Sequence, residues 1–275
     1  MKFICPKCNK PLAVSDSGAA VCAARHSYDR AREGYYNLLL TNVGGTHGDN
    51  REMLEARRRF LDTGAYSPLA EALVRSVTSA VLASARDNAV VLDVGCGEGY
   101  YTALIAEHLA AMACGADLYG FDISRAAIRL SARRVRGAHL AVASAYKMPL
   151  ADGSVDVAVN VFSPLASEET VRVLRRGGRF IMAIPDENHL FGLKSAIYNT
   201  PYKNEVKDTA IAGLTLKATE RVAYTLTLDS RERIADLFMM TPYAYRTGRA
   251  ERERVLSLDS LTTEAEFIIL TYEKN

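Results

Sequence analysis

The chain has 275 residues, 49% apolar and 24% charged, a balance that suits one large buried core with a small appendage and excludes a disordered or fibrous protein. Lys and Arg number 34 against 32 Asp and Glu, so the net charge is +2 and a nucleic-acid partner would have to meet local basic patches. There is no signal peptide and no apolar run near the roughly 20 residues of a membrane helix, which predicts a cytoplasmic protein with no membrane partner. Five cysteines, an odd number, point to metal or redox chemistry in a reducing compartment and away from a disulfide framework.

Along the chain the first signal is Cys5-Pro6-Lys7-Cys8, followed by Cys22 and His26 in the spacing C-x2-C-x13-C-x3-H. Two tight pairs separated by a short excursion suit tetrahedral zinc, and with all four positions filled by protein the ion is structural. A redox pair at Cys5 and Cys8 would call for a helix start beside a strand and would not need Cys22 or His26. About 40 residues bury too little apolar surface to fold unaided, and the metal supplies the missing stability. Residues 1–40 also carry Lys2, Lys7, Lys10, Arg25, Arg30 and Arg32 against Asp16, Asp29 and Glu33, interleaved with Phe3, Tyr28, Tyr35 and Tyr36. That mixture suits a surface that grips phosphates and stacks unpaired bases; the plainer reading makes the aromatics the module's own core.

The polar, glycine-bearing stretch Thr41 to Arg51 reads as a linker, leaving 52–275 as the main domain. Glu52 to Leu61 reads as a helix, and Leu69, Leu73, Val77 and Val81 mark one face of another. Strands are predicted at Ala89 to Val94, Leu118 to Asp122, His139 to Ala143, Val155 to Phe162, Arg179 to Ile184, Val222 to Leu228 and Phe267 to Tyr272. Helices alternate with them at Tyr101 to Leu109, Arg125 to Arg134, Glu168 to Arg176 and Arg231 to Met240. The expectation is an α/β fold: a doubly wound, mostly parallel seven-stranded sheet of Rossmann-like type with a small N-terminal zinc-binding domain.

After the first of these strands comes Asp93-Val94-Gly95-Cys96-Gly97-Glu98-Gly99. Its glycines at alternate positions depart from the dinucleotide fingerprint and follow the D-x-G-x-G-x-G pattern of methyltransferases that use S-adenosylmethionine (AdoMet). Ligands of open α/β sheets bind beyond the carboxyl ends of the strands, so Gly95, Gly97, Glu98 and Gly99 should face the amino-acid end of AdoMet. Asp122 should take the ribose hydroxyls, with Ser124 as the helix cap, and Ser144 should lie against the adenine. The fourth strand ends in Asn160-Val161-Phe162-Ser163-Pro164, next to where the methyl group should sit.

The zinc module, Glu33-Gly34-Tyr35-Tyr36-Asn37-Leu38-Leu39, Gly48-Asp49, Ala56-Arg57-Arg58, Tyr66 with Pro68-Leu69, Leu92 to Thr102, His189-Leu190 and Met240-Thr241-Pro242-Tyr243 together resemble the RlmA family of 23S ribosomal RNA guanine-N1-methyltransferases. The resemblance spans nearly the whole chain. It implies methylation of a guanosine in a hairpin loop of 23S ribosomal RNA, an N-terminal module that recognises RNA, and a homodimer. It also implies that Tyr66, Gly97, Glu98 and His189 contact AdoMet and that Cys5, Cys8, Cys22 and His26 hold zinc. The two other readings are a small-molecule or protein methyltransferase with a zinc ribbon for docking, and a non-catalytic RNA-binding protein.

Guanine N1 bears a proton at neutral pH, and Asp186, Glu187 and His189 follow the fifth strand; Asp186 is the candidate proton acceptor. Arg125, Arg129, Arg133 and Arg136 would stripe one helix face and Arg57, Arg58 and Arg59 form a second cluster, either an RNA path or a solvated surface.

Overall fold

The computed structural model describes residues 1–40, 49–113, 115–206 and 209–275. Cys114 and most of the predicted linker, 41–48, lie outside the described residues. In the N-terminal module β1 (Leu12–Val14), β2 (Ala20–Cys22) and β3 (Ser27–Tyr28) form a three-stranded antiparallel sheet, and β4 (Tyr36–Asn37) follows. The main domain continues with α1 (Arg51–Asp62), α2 (Ser67–Ala83), β5 (Ala89–Val94), α3 (Tyr100–Ala111), β6 (Ala116–Asp122), α4 (Arg125–Arg134) and β7 (His139–Val142). Then come β8 (Val155–Val161), α5 (Ser167–Val173), β9 (Leu174–Pro185), α6 (Phe191–Ile197), β10 (Leu214–Leu228), α7 (Arg231–Met239), a 3-10 turn (Pro242–Tyr245), α8 (Arg249–Leu256) and β11 (Leu261–Lys274).

The main sheet runs β10-β11-β9-β8-β5-β6-β7-β4, parallel from β9 to β4, with β11 antiparallel to both β9 and β10. It has eight strands where seven were expected. The eighth is β4, which the module adds to the edge, Tyr36 opposite Ala141. Two residues carry no period, so nothing in the sequence marks them as a strand. The helix expected over Glu168 to Arg176 stops at Val173, and Leu174 already pairs with Val155 at the start of β9. Buried Asp156 on β8 is the reason: its carboxylate accepts from the Arg175 guanidinium and from the Val90 amide (2.8 Å), holding Leu174 to Arg176 extended beside the sheet.

Val91, Val159, Ile181 and Phe267 bury one face of the sheet under Leu69, Leu73 and Val77 of α2. The opposite face, with Leu92, Tyr119, Leu150 and Phe180, shares its apolar cluster with Phe3, Leu12, Tyr36 and Leu38 of the module. Phe3 meets Tyr119 edge-on at 5.2 Å, the Lys2 amide donates to the Tyr119 hydroxyl (2.9 Å) and the Ile4 amide to Pro149 O (3.0 Å). Burial of the Phe3 ring alone contributes about 1.5–3 kcal/mol. Glu33 completes the seam by pairing with Arg129 (2.7 Å) and Arg133 (3.3 Å) on α4. Among the described residues, no helix is long and apolar enough to cross a membrane.

Candidate active site and metal centre

The loop after β5 is shaped by its glycines for two reasons. Gly95, Gly97 and Gly99 all have positive φ (+73°, +56° and +88°), which side chains resist. A Cβ on Gly95 would lie 2.4 Å from Ser163 Oγ and one on Gly99 2.6 Å from Ser131 Oγ, so these two are packing glycines. A Cβ on Gly97 would meet only Arg57 Nη1, at 4.0 Å. Gly97 therefore leaves an open cradle, with room for a ligand to approach the backbone closely.

Acidic groups surround that cradle. Asp93, one residue before the end of β5, is buried and accepts from Thr102 Oγ1 (2.6 Å); burial raises its carboxyl to about 6 against the lowering effect of that hydrogen bond. Asp122 ends β6, its two oxygens accepting from the Ser124 amide (2.8 Å) and the Gly97 amide (3.1 Å), so it sets the loop's shape as well as facing it. Ser124 caps α4 through the Ala127 amide, as expected. Glu98 is 2% exposed and faces Arg134 with both oxygens, Oε1 accepting from Nη1 at 3.4 Å and Oε2 lying 3.2 Å from the same nitrogen. A buried carboxylate with acceptor capacity beyond one guanidinium nitrogen, beside an open cradle, suits a ligand bearing an ammonium or hydroxyls, as AdoMet does.

Ser144 follows β7, its hydroxyl accepting from the Tyr146 amide (3.2 Å). Asn160 has a supporting place: Oδ1 accepts from the Ser163 amide (3.3 Å), Nδ2 donates to Ser163 Oγ (3.1 Å), and that hydroxyl donates to Val94 O (3.0 Å). The ends of β8 and β5 are thereby tied beside Gly95. Phe162, at φ +56° and half exposed, stands beyond this tie with its ring 5.7 Å from Phe267.

Tyr66 and His189 come together although 123 residues separate them. Both are buried against Phe267, with Tyr66 Oη and His189 Nε2 3.5 Å apart. The Glu266 amide donates to His189 Nδ1 (3.3 Å), which places the single proton of the neutral ring on Nε2, donating to Tyr66. Burial, aided by the charge of Lys194, lowers the imidazole to about 3. Asp186 is drawn elsewhere, to Arg221 Nε at 2.6 Å; burial works to raise its carboxyl, but Arg221 outweighs this and holds it below the usual range. A carboxylate so held is a poor proton acceptor.

In the module, Cys5, Cys8, Cys22 and His26 bring all four ligand atoms within 4.8 Å of one another. The turns that present them close at Asn9 and Arg25, both at positive φ. Cys5 Sγ lies 3.4 Å and Cys22 Sγ 3.5 Å from His26 Nδ1, and Cys8 and Cys22 sulfurs are 3.6 Å apart. Zinc bond lengths give tetrahedral edges of about 3.5 Å between sulfur and nitrogen and about 3.8 Å between sulfurs, so the cluster has the dimensions of a zinc site. Burial pushes the Cys5 thiol up, but hydrogen bonds led by the Tyr28 hydroxyl (3.2 Å) outweigh it and bring it to about 6, favouring the thiolate that binds metal.

Residues 85–231, more than half of the chain, match the family model described as a methyltransferase domain, and residues 3–42 match the one described as the RlmA N-terminal zinc ribbon. The chain belongs to the RlmA methyltransferase family. It is an AdoMet-dependent methyltransferase carrying a structural zinc ribbon. A relative from Streptomyces fradiae, named 23S rRNA (guanine(748)-N(1))-methyltransferase, is 37% identical over 70% of this chain and 66% of its own length. One from Micromonospora griseorubida, provisionally named 23S rRNA (guanine-N(1)-)-methyltransferase, is 37% identical over 69% of this chain and 67% of its own. YxjB of Bacillus subtilis, with the same provisional name, is 29% identical over 94% of this chain and 91% of its own. The matched segment thus spans about two thirds of the length of the first two relatives.

Within this RlmA-type chain the basic clusters have structural partners. Arg57 bonds Asp49, Arg58 lies 3.7 Å from Asp62, and Arg59 grips Asp236 on α7 (2.5 Å). Arg129 and Arg133, half of the expected stripe, hold Glu33. Sequence reasoning gave no role to Thr102, Ser163 or Phe267, nor to Lys194, a fully buried lysine whose ammonium donates to Asn204 Oδ1 (2.6 Å) and Tyr202 O (3.1 Å). Thr102 and Ser163 sit inside motifs that were noticed; Lys194 has no sequence signal, because an isolated lysine in a short helix reads as solvated.

Proposed function

We propose that this enzyme transfers the methyl group of AdoMet to N1 of a guanosine in a hairpin loop of 23S ribosomal RNA. The observation that carries this reading is the joining of an RlmA zinc ribbon to an AdoMet-type core through one shared apolar cluster, in a chain whose relatives bear that activity in their names. On this reading Tyr66, Asp93, Gly95, Gly97, Glu98, Gly99, Asp122, Ser144, Asn160 and His189 make or support the AdoMet site. Phe162 is the surface on which the unstacked guanine lies, since an aromatic ring held half exposed at the carboxyl end of β8 offers the stacking a flipped base requires. With Asp186 engaged by Arg221, the N1 proton leaves to solvent. Residues 1–40 read the RNA, and the enzyme works in the cytoplasm. The homodimer belongs to the same reading, supported by β10, a 15-residue strand that among the described residues forms the edge of the sheet, the place where a second copy can add.

The test is incubation with AdoMet and unmethylated 23S ribosomal RNA, followed by mass spectrometry of the digested nucleosides. N1-methylguanosine is expected, and methyl transfer at another atom, or to a protein only, would overturn the reading. Phe162→Ala should cut that transfer at least tenfold with AdoMet affinity unchanged; full activity would remove Phe162 from the base site. Light scattering decides the dimer.

A further inference from the structure

The cradle at Gly97 is overhung by one side chain. Arg57 projects from α1, its Nη1 bonded to Asp49 and 4.0 Å from where a Cβ on Gly97 would stand, its Nη2 donating to Met240 O at 3.3 Å. These two tethers come from opposite ends of the sequence and fix the guanidinium over the loop, only partly exposed. Burial raises the carboxyls of Asp122 and Glu98, and the Arg57 charge opposes it at both, so the guanidinium is near enough to act on each of the two acids.

The charges of AdoMet have to be matched group by group. Its sulfonium and ammonium are positive and its diol neutral, and Asp93, Glu98 and Asp122 supply acceptors for these. Its carboxylate needs a cation among three carboxylates. Arg134 is engaged by Glu98 and Asp62, and Arg58 pairs with Asp62. Arg57 has a carboxylate partner as well, Asp49, but it is the cation that stands over Gly97 itself, and its planar fork has donors beyond the two in use. The geometry points to Arg57 as the residue that receives the carboxylate of AdoMet, with Asp49 and the Met240 carbonyl as its positioning partners. Two distant segments, α1 and the turn after α7, thereby converge on the amino-acid end of the cofactor.

The experiment removes the carboxylate from the ligand and the guanidinium from the protein, separately and together. AdoMet and decarboxylated AdoMet are each titrated directly by calorimetry, on the wild-type protein and on Arg57→Ala and Arg57→Gln. Wild type should prefer AdoMet by about tenfold to a hundredfold, the range for a hydrogen-bonded charge. Both variants should lose that preference by weakening AdoMet alone, the coupling expected of two groups in contact. Arg57→Gln keeps a donor for Met240 O and guards against a loss of folding. Equal affinity of wild type for the two ligands, or a preference that survives in Arg57→Gln, overturns the assignment. Failure of the wild type to bind AdoMet at all would overturn the cofactor site itself.

Discussion

The zinc ribbon and the sheet that it covers are held together by different physics. Around β5, six consecutive residues are buried and the site acids are set into an apolar frame that would persist without any of them. In residues 1–40, strands of two or three residues depend on one four-ligand cluster, and the module's buried residues Phe3, Leu12, Tyr36 and Leu38 share their apolar cluster with the sheet. Polar groups in the core can therefore be changed for chemistry at local cost, whereas each ligand in the ribbon decides whether the whole module is folded. Because the ribbon's apolar face is also the cover of Tyr119 and Leu150, that decision reaches into the main domain.

The strongest way to break this contrast is to remove a ligand. Cys22→Ser should abolish stoichiometric zinc, forfeiting a stabilisation that in isolated zinc modules is on the order of 10 kcal/mol. Residues 1–40 should become protease-sensitive, and the melting temperature of the remainder should fall because Phe3 and Tyr36 no longer cover the sheet. A Cys22→Ser protein with zinc and with protease resistance intact would show that apolar docking alone holds the ribbon.

Most of this division was legible from the residues. The spacing of Cys5, Cys8, Cys22 and His26 specifies the centre, because tetrahedral geometry restricts how close pairs can sit in sequence. Ala89 to Val94 and Arg125 to Arg134 appear at the expected bounds, a continuous apolar run and a capped amphipathic stretch being the clearest local signals. What could not be read were contacts made at a distance. β4 borrows its register from β7, Arg175 turns a helical stretch into strand by reaching Asp156, and Arg59, Arg129 and Arg133 find acids far away in sequence. A charge on a helix face looks the same whether solvent or a distant carboxylate meets it.

On the core side, the contrast sharpens with Asp122. Asp122→Ala removes the acceptor for the Gly97 and Ser124 amides and should weaken AdoMet binding by about 1–3 kcal/mol, measured by calorimetry, without unfolding the sheet. Unchanged affinity would move the ribose contact elsewhere.

Acid gives a comparable effect on stability. His189 is neutral and its imidazole is lowered to about 3, so between that value and its ordinary 6.5 the unfolded chain takes up a proton that the folded one refuses. Its contribution is fully present above about 6.5 and falls as pH drops, by about 2 kcal/mol between pH 6.5 and 5. Asp93, raised to about 6 by burial, works in the opposite sense over the same range. The quantity to measure is therefore the difference in urea-unfolding free energy between wild type and His189→Asn at pH 7 and at pH 5. That difference should shrink or reverse on acidification; a constant difference would mean the imidazole is accessible to protons.

The smallest expected effect lies at the seam between the two regions. Glu33 is largely covered, yet Arg129 and Arg133 are more than half exposed, so these ion pairs stand mostly in water and orient the ribbon more than they stabilise it. Glu33→Gln should leave zinc content and the melting temperature close to wild type, because the Phe3 and Tyr36 contacts remain. It should raise the rate of proteolysis around residues 28–37 at low salt, where Arg129 and Arg133 face the ribbon without a countercharge. At about 1 M salt, where charges more than about 3 Å apart are screened, wild type and variant should be cleaved at the same rate. If cleavage differs equally at both salt concentrations, Glu33 acts through packing around Gly34, and the seam is apolar along its whole length.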